Sequence, residues 1–143
     1  MSALGQVVGS IIVLSVFVTM VNLNSSSVAA FVQKGKWEAP PASRNMSNPI
    51  ALNRKVLEEG LELYRKNCLT CHGEEGKGDG PAVEFIETRP RDLTVPEVTR
   101  QNTDGEIFWK VTEGRKPMPP FKKKLSDDER WKLVHYIRVL GRK

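Results

Sequence analysis

The chain has few means of covalent or metal cross-linking. It carries two cysteines in 143 residues, too few for a disulfide-dense scaffold or a four-thiolate zinc site. Aromatic residues make up only 7%. No segment shows a convincing two-residue alternation, so no strand is expected. The most telling shortage is charge at the front: none of the 22 Lys and Arg, and none of the 17 Asp and Glu, precedes residue 34. One chain therefore meets two physical environments. A hydrophobic share of 39% and a charged share of 27% exclude a collagen-like or wholly disordered chain. The length suits one ordinary domain plus a smaller element. Net charge is +5, with a pI near 9.4. That suits an acidic partner, nucleic acid or an anionic membrane face, and basicity alone does not choose among them.

The uncharged front is long and apolar. Ala3 to Leu23 reads ALGQVVGSIIVLSVFVTMVNL, which as a helix is roughly 31 Å long, close to a hydrocarbon core. A secretory signal peptide is the competing reading, with Val28-Ala29-Ala30 as its cleavage site. No Lys or Arg precedes the run, and the run is long, so a retained transmembrane anchor over 1–23 is expected. Gly5 and Gly9 form a G-x-x-x-G pair suited to close packing of another helix. Lys34 and Lys36 would favour a cytoplasmic side for the rest of the chain, but they stand more than ten residues beyond the span. The cysteine chemistry further along the chain outweighs them. Residues 24–49 are rich in Ser, Pro and Ala and read as an extended tether, with Trp37 at a headgroup boundary or against a partner.

The remainder, 50–143, reads as helical. Residues 50–66 place Leu57, Gly60, Leu61 and Tyr64 on one face, with Asn48-Pro49 as cap and first turn. A short helix is expected after Pro81, through Ala82–Ile86. Thr103 with Glu106, and Ser126 with Glu129, are capping-box pairs. The first opens a helix carrying Ile107, Phe108 and Val111 and stopping at Gly114. The second opens one running to Leu140, with Leu133, Tyr136, Ile137 and Leu140 as its buried stripe. So small a helical domain needs a large apolar group to pack around.

Cys68-Leu69-Thr70-Cys71-His72 supplies the means. C-x-x-C-H is the attachment signature of c-type haem. Two thiols three residues apart reach the two vinyl groups of one porphyrin, and the next residue sets an imidazole beneath the iron. A thioredoxin-like redox pair would follow a strand in a βαβ unit, whereas this motif follows a helix. A zinc site would need a further ligand, and the spare histidine, His135, falls near Asp128 and Lys132 on the polar side of the last helix. For the opposite iron face, Met118 stands in RKPMPPF, braced by prolines, with 46 residues of chain after His72 to cross the porphyrin. A neutral, soft thioether favours ferrous iron. The glycines of HGEEGKGDGP are a turn around the haem edge, since no G-K-[ST] closes them into a phosphate loop.

Residues 50–143 resemble a class I cytochrome c domain of the bacterial type. The resemblance rests on Gly60 and Tyr64 ahead of CLTCHG, then GKGDGPA, RPRDLT, IFWKVTEG, KPMPPF and ERWKLVHYIRVLG. It implies an all-α fold around one haem c attached through Cys68 and Cys71, with His72 and Met118 as axial ligands. It also implies that Gly60 and Tyr64 cross the last helix near Tyr136. Arg89 and Arg91 match the family's propionate side, and guanidinium pairs carboxylates well; solvated loop charges are the alternative. Trp109 either packs on the porphyrin, donates to a propionate, or is ordinary core. The front helix lies outside the family's core pattern. It resembles the anchors of membrane-bound cytochromes and of cytochrome subunits in respiratory or photosynthetic complexes.

Arg115, Lys116, Lys122, Lys123 and Lys124 put five positive charges in ten residues around Met118. Such a ring would steer an acidic redox partner and raise its on-rate; no nucleic acid is expected as partner. These readings combine into a membrane-anchored one-electron carrier of the bacterial inner membrane, its haem domain facing the periplasm. A subunit of a membrane-embedded redox complex is expected over a freely tethered shuttle. Both axial positions are expected to be filled, so no substrate turnover is expected of this chain alone. The rival is a haem enzyme or gas-binding protein whose methionine is displaced.

Overall fold

The computed structural model describes residues 37–142. The expected anchor over 3–23, its Gly5–Gly9 face, and Lys34 and Lys36 lie outside the described residues. Among the described residues, no helix is long and apolar enough to cross a membrane, and no strand occurs beyond one isolated bridge, Arg115 with Met118. The helices are α1 (Pro41–Arg44), α2 (Arg54–Asn67), α3 (Leu69–His72), α4 (Pro96–Arg100), α5 (Asp104–Glu113) and α6 (Asp127–Leu140).

The two capping boxes form as the sequence expects. Thr103 Oγ1 accepts from the Glu106 N–H at 3.3 Å, and Glu106 Oε2 accepts from the Thr103 N–H at 2.7 Å. Ser126 and Glu129 repeat the pair at 3.2 and 2.8 Å. Each satisfies two otherwise orphaned donors. The start of α2 differs from expectation. Its cap is Asn53, whose Oδ1 accepts from the Val56 N–H at 2.9 Å. Asn48 is committed elsewhere: its Nδ2 donates to Trp131 O and its Oδ1 accepts from Ile50 N–H, both at 3.0 Å. The expected helix at 82–86 is a single 3-10 turn, Val83–Phe85. The turn ends because Ile86 is extended (φ −120, ψ 138).

The helices α2 and α6 cross at Gly60. A Cβ there would lie 2.6 Å from Lys132 O and 3.1 Å from Tyr136 Cβ, so only glycine permits this approach. One turn on, the Tyr64 and Tyr136 rings sit 5.1 Å apart at 51°. This is the crossing that the family resemblance implied. The core gathers Leu133, Val134, Ile137 and Leu140 of α6 with Tyr64, Ile107, Phe108 and Phe121. Burying each such side chain contributes about 1.5–3 kcal/mol. The stripe on α6 is wider than expected, because Trp131 and Val134 are also buried, while Tyr136 is half-buried.

Residues 39–49, within the expected tether, pack onto α5 and α6. The chain is extended at Pro40 (φ −55, ψ 146) and turns into α1 with Pro41 as its first residue, where a missing N–H costs nothing. Ser43 is buried and donates to Pro40 O at 2.6 Å. Arg44 Nε meets Glu106 Oε1 at 3.0 Å. Arg138 on α6 fastens the α4–α5 junction, donating to Asp104 Oδ1 and Asn102 O at 2.7 Å each, and to Thr99 O.

Candidate haem-binding site

The motif begins where α2 ends. The Cys68 N–H still bonds to Tyr64 O at 2.8 Å, and Cys71 and His72 N–H bond back to Cys68 O at 3.1 and 2.8 Å. The one turn of α3 therefore presents Cys68, Cys71 and His72 as a contiguous unit. Its C-terminal carbonyls are met by the glycine-rich segment after it. Gly80 N–H donates to Cys71 O at 3.2 Å, Gly78 N–H to His72 O at 2.8 Å, and Ala82 N–H to Thr70 O at 2.9 Å. Tyr64 Oη donates to Gly73 O at 2.7 Å, holding the turn against α2 from inside. Burial, reinforced by the Cys68, Tyr136 and acidic neighbours, raises the Tyr64 phenol above its ordinary range, so it remains a donor. The turn is legible in the sequence; this closure is not.

The motif offers two cysteines and a histidine on one turn, as thioether attachment of a haem requires. Both cysteines are unpaired. Burial pushes the Cys68 thiol up to about 12, against the nearby Lys124 ammonium and with some help from Cys71. Burial likewise holds His72 below the ordinary imidazole value, opposed in part by the Arg91 backbone. The neutral ring is the ligating form. His72 Nδ1 is buried without a partner in hydrogen-bond geometry. His135, the other histidine, points its Nε2 to Ile50 O at 2.8 Å.

Met118 is half-buried and packs against the core beside Phe121. Its loop is closed at the base. Arg115 and Met118 exchange backbone bonds at 3.0 and 2.9 Å, Phe121 N–H returns to Val111 O at 3.2 Å, and Lys122 N–H to Thr112 O at 3.2 Å. The loop opens at Gly114 (φ 62), where a Cβ would fall 2.6 Å from Pro119 C and 2.7 Å from Met118 O. Lys116–Pro117 is a cis peptide. An open cleft of about 520 Å³ runs along residues 113–120. Lys116, Lys122, Lys123 and Lys124 are exposed, as is Arg115. Because Lys124 acts on the Cys68 thiol, the end of this basic stretch lies beside the motif.

The remaining expected site residues are placed less decisively. Arg89 is exposed and donates its Nε–H to Gly78 O at 3.0 Å, so it braces the glycine turn. Arg91 is exposed and meets His72 through its backbone. Trp109 is half-buried on α5.

A helical domain built around C-x-x-C-H, with Cys68, Leu69 and Met118 packed against one core, is a c-type cytochrome domain. Comparison with known proteins identifies the kind. The family model described as cytochrome c oxidase, cbb3-type, subunit III matches residues 55–137, more than half of the chain, and the chain belongs to that family. It is 29% identical over 99 residues to the cbb3-type cytochrome c oxidase subunit FixP of Azorhizobium caulinodans, covering 68% of this chain and 32% of FixP. It is 27% identical to cytochrome c6 of Bumilleriopsis filiformis, covering 57% of this chain and 87% of that one. Among solved structures, a chain of the Kuenenia stuttgartiensis reducing HAO-like protein complex superposes with a TM-score of 0.58 at 34% identity, covering 66% of this chain and 49% of that one. The chain spans less than a third of the length of the longer curated relatives it matches. Its cofactor is haem c, and its attachment motif holds Cys68 and Cys71.

Proposed function

We propose that this chain is a membrane-anchored, one-electron cytochrome subunit whose haem is held by thioethers at Cys68 and Cys71 and ligated by His72 and Met118. The observation that carries the reading is the C-x-x-C-H turn of α3, where half-buried His72 keeps its Nδ1 out of water, together with a methionine loop closed at its base on α5. When bound, haem c supplies the Fe(III)/Fe(II) couple. The chain's own residues do the rest. His72 offers a neutral nitrogen. Met118 offers a neutral, soft sulfur that favours the ferrous state, and Pro117, Pro119 and Pro120 limit the loop's freedom to swing it away. With His72 and Met118 both bound, the iron would offer no open site to a substrate. Arg115, Lys116, Lys122, Lys123 and Lys124 steer an acidic redox partner toward the motif's edge. The apolar run at 3–23 supports an anchor in the bacterial inner membrane, with the haem domain on the periplasmic side. The FixP likeness supports work within a membrane redox complex. Arg89 and Arg91 remain candidates for haem propionates, and Trp109 for a porphyrin contact.

The test is optical and chemical. The ferric holoprotein should show a methionine–iron charge-transfer band, and the reduced holoprotein should take up no carbon monoxide. Rapid carbon monoxide binding by the unaltered protein would favour an open-iron enzyme or gas binder. Purification from membranes in gentle detergent should bring down the partner subunits. Recovery of the chain alone would favour a tethered shuttle.

A further inference from the structure

Arg130 is a cation in the wrong place for a surface charge. It is 3% exposed, yet the carboxylate it meets, Asp127, has a side chain 79% exposed. Neutralisation of Asp127 could be achieved from the surface, so it does not explain a guanidinium drawn into the core, where charge is costly. The inward contacts do. Arg130 Nη1 donates to Thr112 Oγ1, its Nε to Ser126 O at 3.3 Å, and its plane lies 4.8 Å from the Phe108 ring centroid. Phe108 in turn stacks on Trp131 at 4.0 Å. The Thr112 hydroxyl has no freedom left. It donates to Phe108 O at 2.7 Å, so a lone pair is what Arg130 meets. The backbone of the same residue receives the returning loop: Thr112 O accepts from Lys122 N–H, and Val111 O from Phe121 N–H, both at 3.2 Å. These two bonds are the base of the loop that carries Met118.

We propose that Arg130, acting through Thr112, is a positioning residue for Met118. It pins the last turn of α5 to α6, so that the Val111 and Thr112 carbonyls face the returning chain and the loop holds its thioether at the iron. The proposal rests on Met118 as axial ligand. A fork of donors over an aromatic ring is a task for arginine, and lysine would meet only part of it.

The experiment compares holoproteins carrying Arg130→Met, Arg130→Lys and Thr112→Val, with Met118→Ala as reference. Two readouts are taken: amide hydrogen exchange at Phe121 and Lys122, and carbon monoxide uptake by the reduced protein. Arg130→Met and Thr112→Val should each speed exchange at these two amides about tenfold while amides in α2 stay unchanged. Both should raise carbon monoxide uptake toward the Met118→Ala level, with Arg130→Lys in between. Thr112→Val keeps the residue's shape and carries the test if Arg130→Met does not fold. Exchange that rises equally in α2 would reduce Arg130 to a general stabiliser and overturn the proposal. So would faster local exchange without added carbon monoxide uptake, given a Met118→Ala reference that binds it. If Met118→Ala gains no uptake, the axial reading falls and the link to iron with it, while exchange still decides whether Arg130 anchors the loop.

Discussion

Substituting Gly60 by alanine sets two effects of opposite sign against each other. In the interior of α2, alanine is favoured over glycine by about 1 kcal/mol of helix propensity. Against that, the new Cβ would sit 2.6 Å from Lys132 O, a backbone atom, and 3.1 Å from Tyr136 Cβ. Neither contact can be relieved by swinging a flexible side-chain end. The helices α2 and α6 must separate by several tenths of an ångström along a close-packed line. That movement strains the Tyr64–Tyr136 contact and, beyond it, the Tyr64–Gly73 bond that closes the motif turn. Overpacking of this kind costs about 1–3 kcal/mol. A Cβ 2.6 Å from a backbone oxygen calls for the upper half of that range, about 2–3 kcal/mol, so sterics win by roughly 1–2 kcal/mol net, equivalent to a fall in Tm of the order of 4–16 °C for a domain of this size. Thermal unfolding of the ferric holoprotein followed by circular dichroism measures it. A Gly60→Ala protein as stable as the original, or more so, would refute the reasoning and show that the crossing has slack.

Met118→Ala should leave the haem attached, lower the reduction potential and let the reduced protein bind carbon monoxide; titration with that gas and a redox titration check both. Glu106 is held below its ordinary value of 4.5, first by the Thr103 N–H and then by Arg44. Its contribution to stability is thus present above 4.5 and is lost as pH falls through its depressed folded value. Glu106→Gln should flatten that acid limb in denaturant midpoints measured across the window, and a curve parallel to the original would remove Glu106 from the account. Neutralising Lys122, Lys123 and Lys124 together should slow electron transfer to an acidic partner mainly at low salt. Equal slowing at all ionic strengths would argue against electrostatic docking there.

The parts of this molecule that are legible in sequence are those with local chemistry. Both capping boxes, the stop at Gly114 and the C-x-x-C-H turn are written within a few neighbouring residues, and the structure forms them in place. The Gly60–Tyr136 crossing is accessible only through family resemblance, because nothing in residues 60–64 names the helix they will meet. Other features are hidden for physical reasons. Arg130 reads as one more solvated charge until the fold brings Thr112 to it. Asn48 and Asn53 are equally good caps in isolation, and the choice is made by Trp131 O, which claims Asn48. The one-turn helices at Pro41 and Pro96 are too short to show periodicity, although proline at the first helical position is a usable sign. The glycine segment 73–80 reads as a turn, but its task of satisfying the carbonyls of α3 depends on bonds that only the folded chain reveals.

The fastening of residues 39–49 through Ser43, Arg44 and Asn48 sets the length of leash that an anchored form would have. Of the stretch between Leu23 and Ile50, the leash could then draw on no more than residues 24–38. Fully drawn, that is about 50 Å, against about 90 Å had the whole stretch run free. Local concentration at a tethered partner falls roughly as the −3/2 power of linker length, so the shorter leash raises it about twofold. In such an anchored form, electron delivery would be confined to partners standing close by in the same membrane.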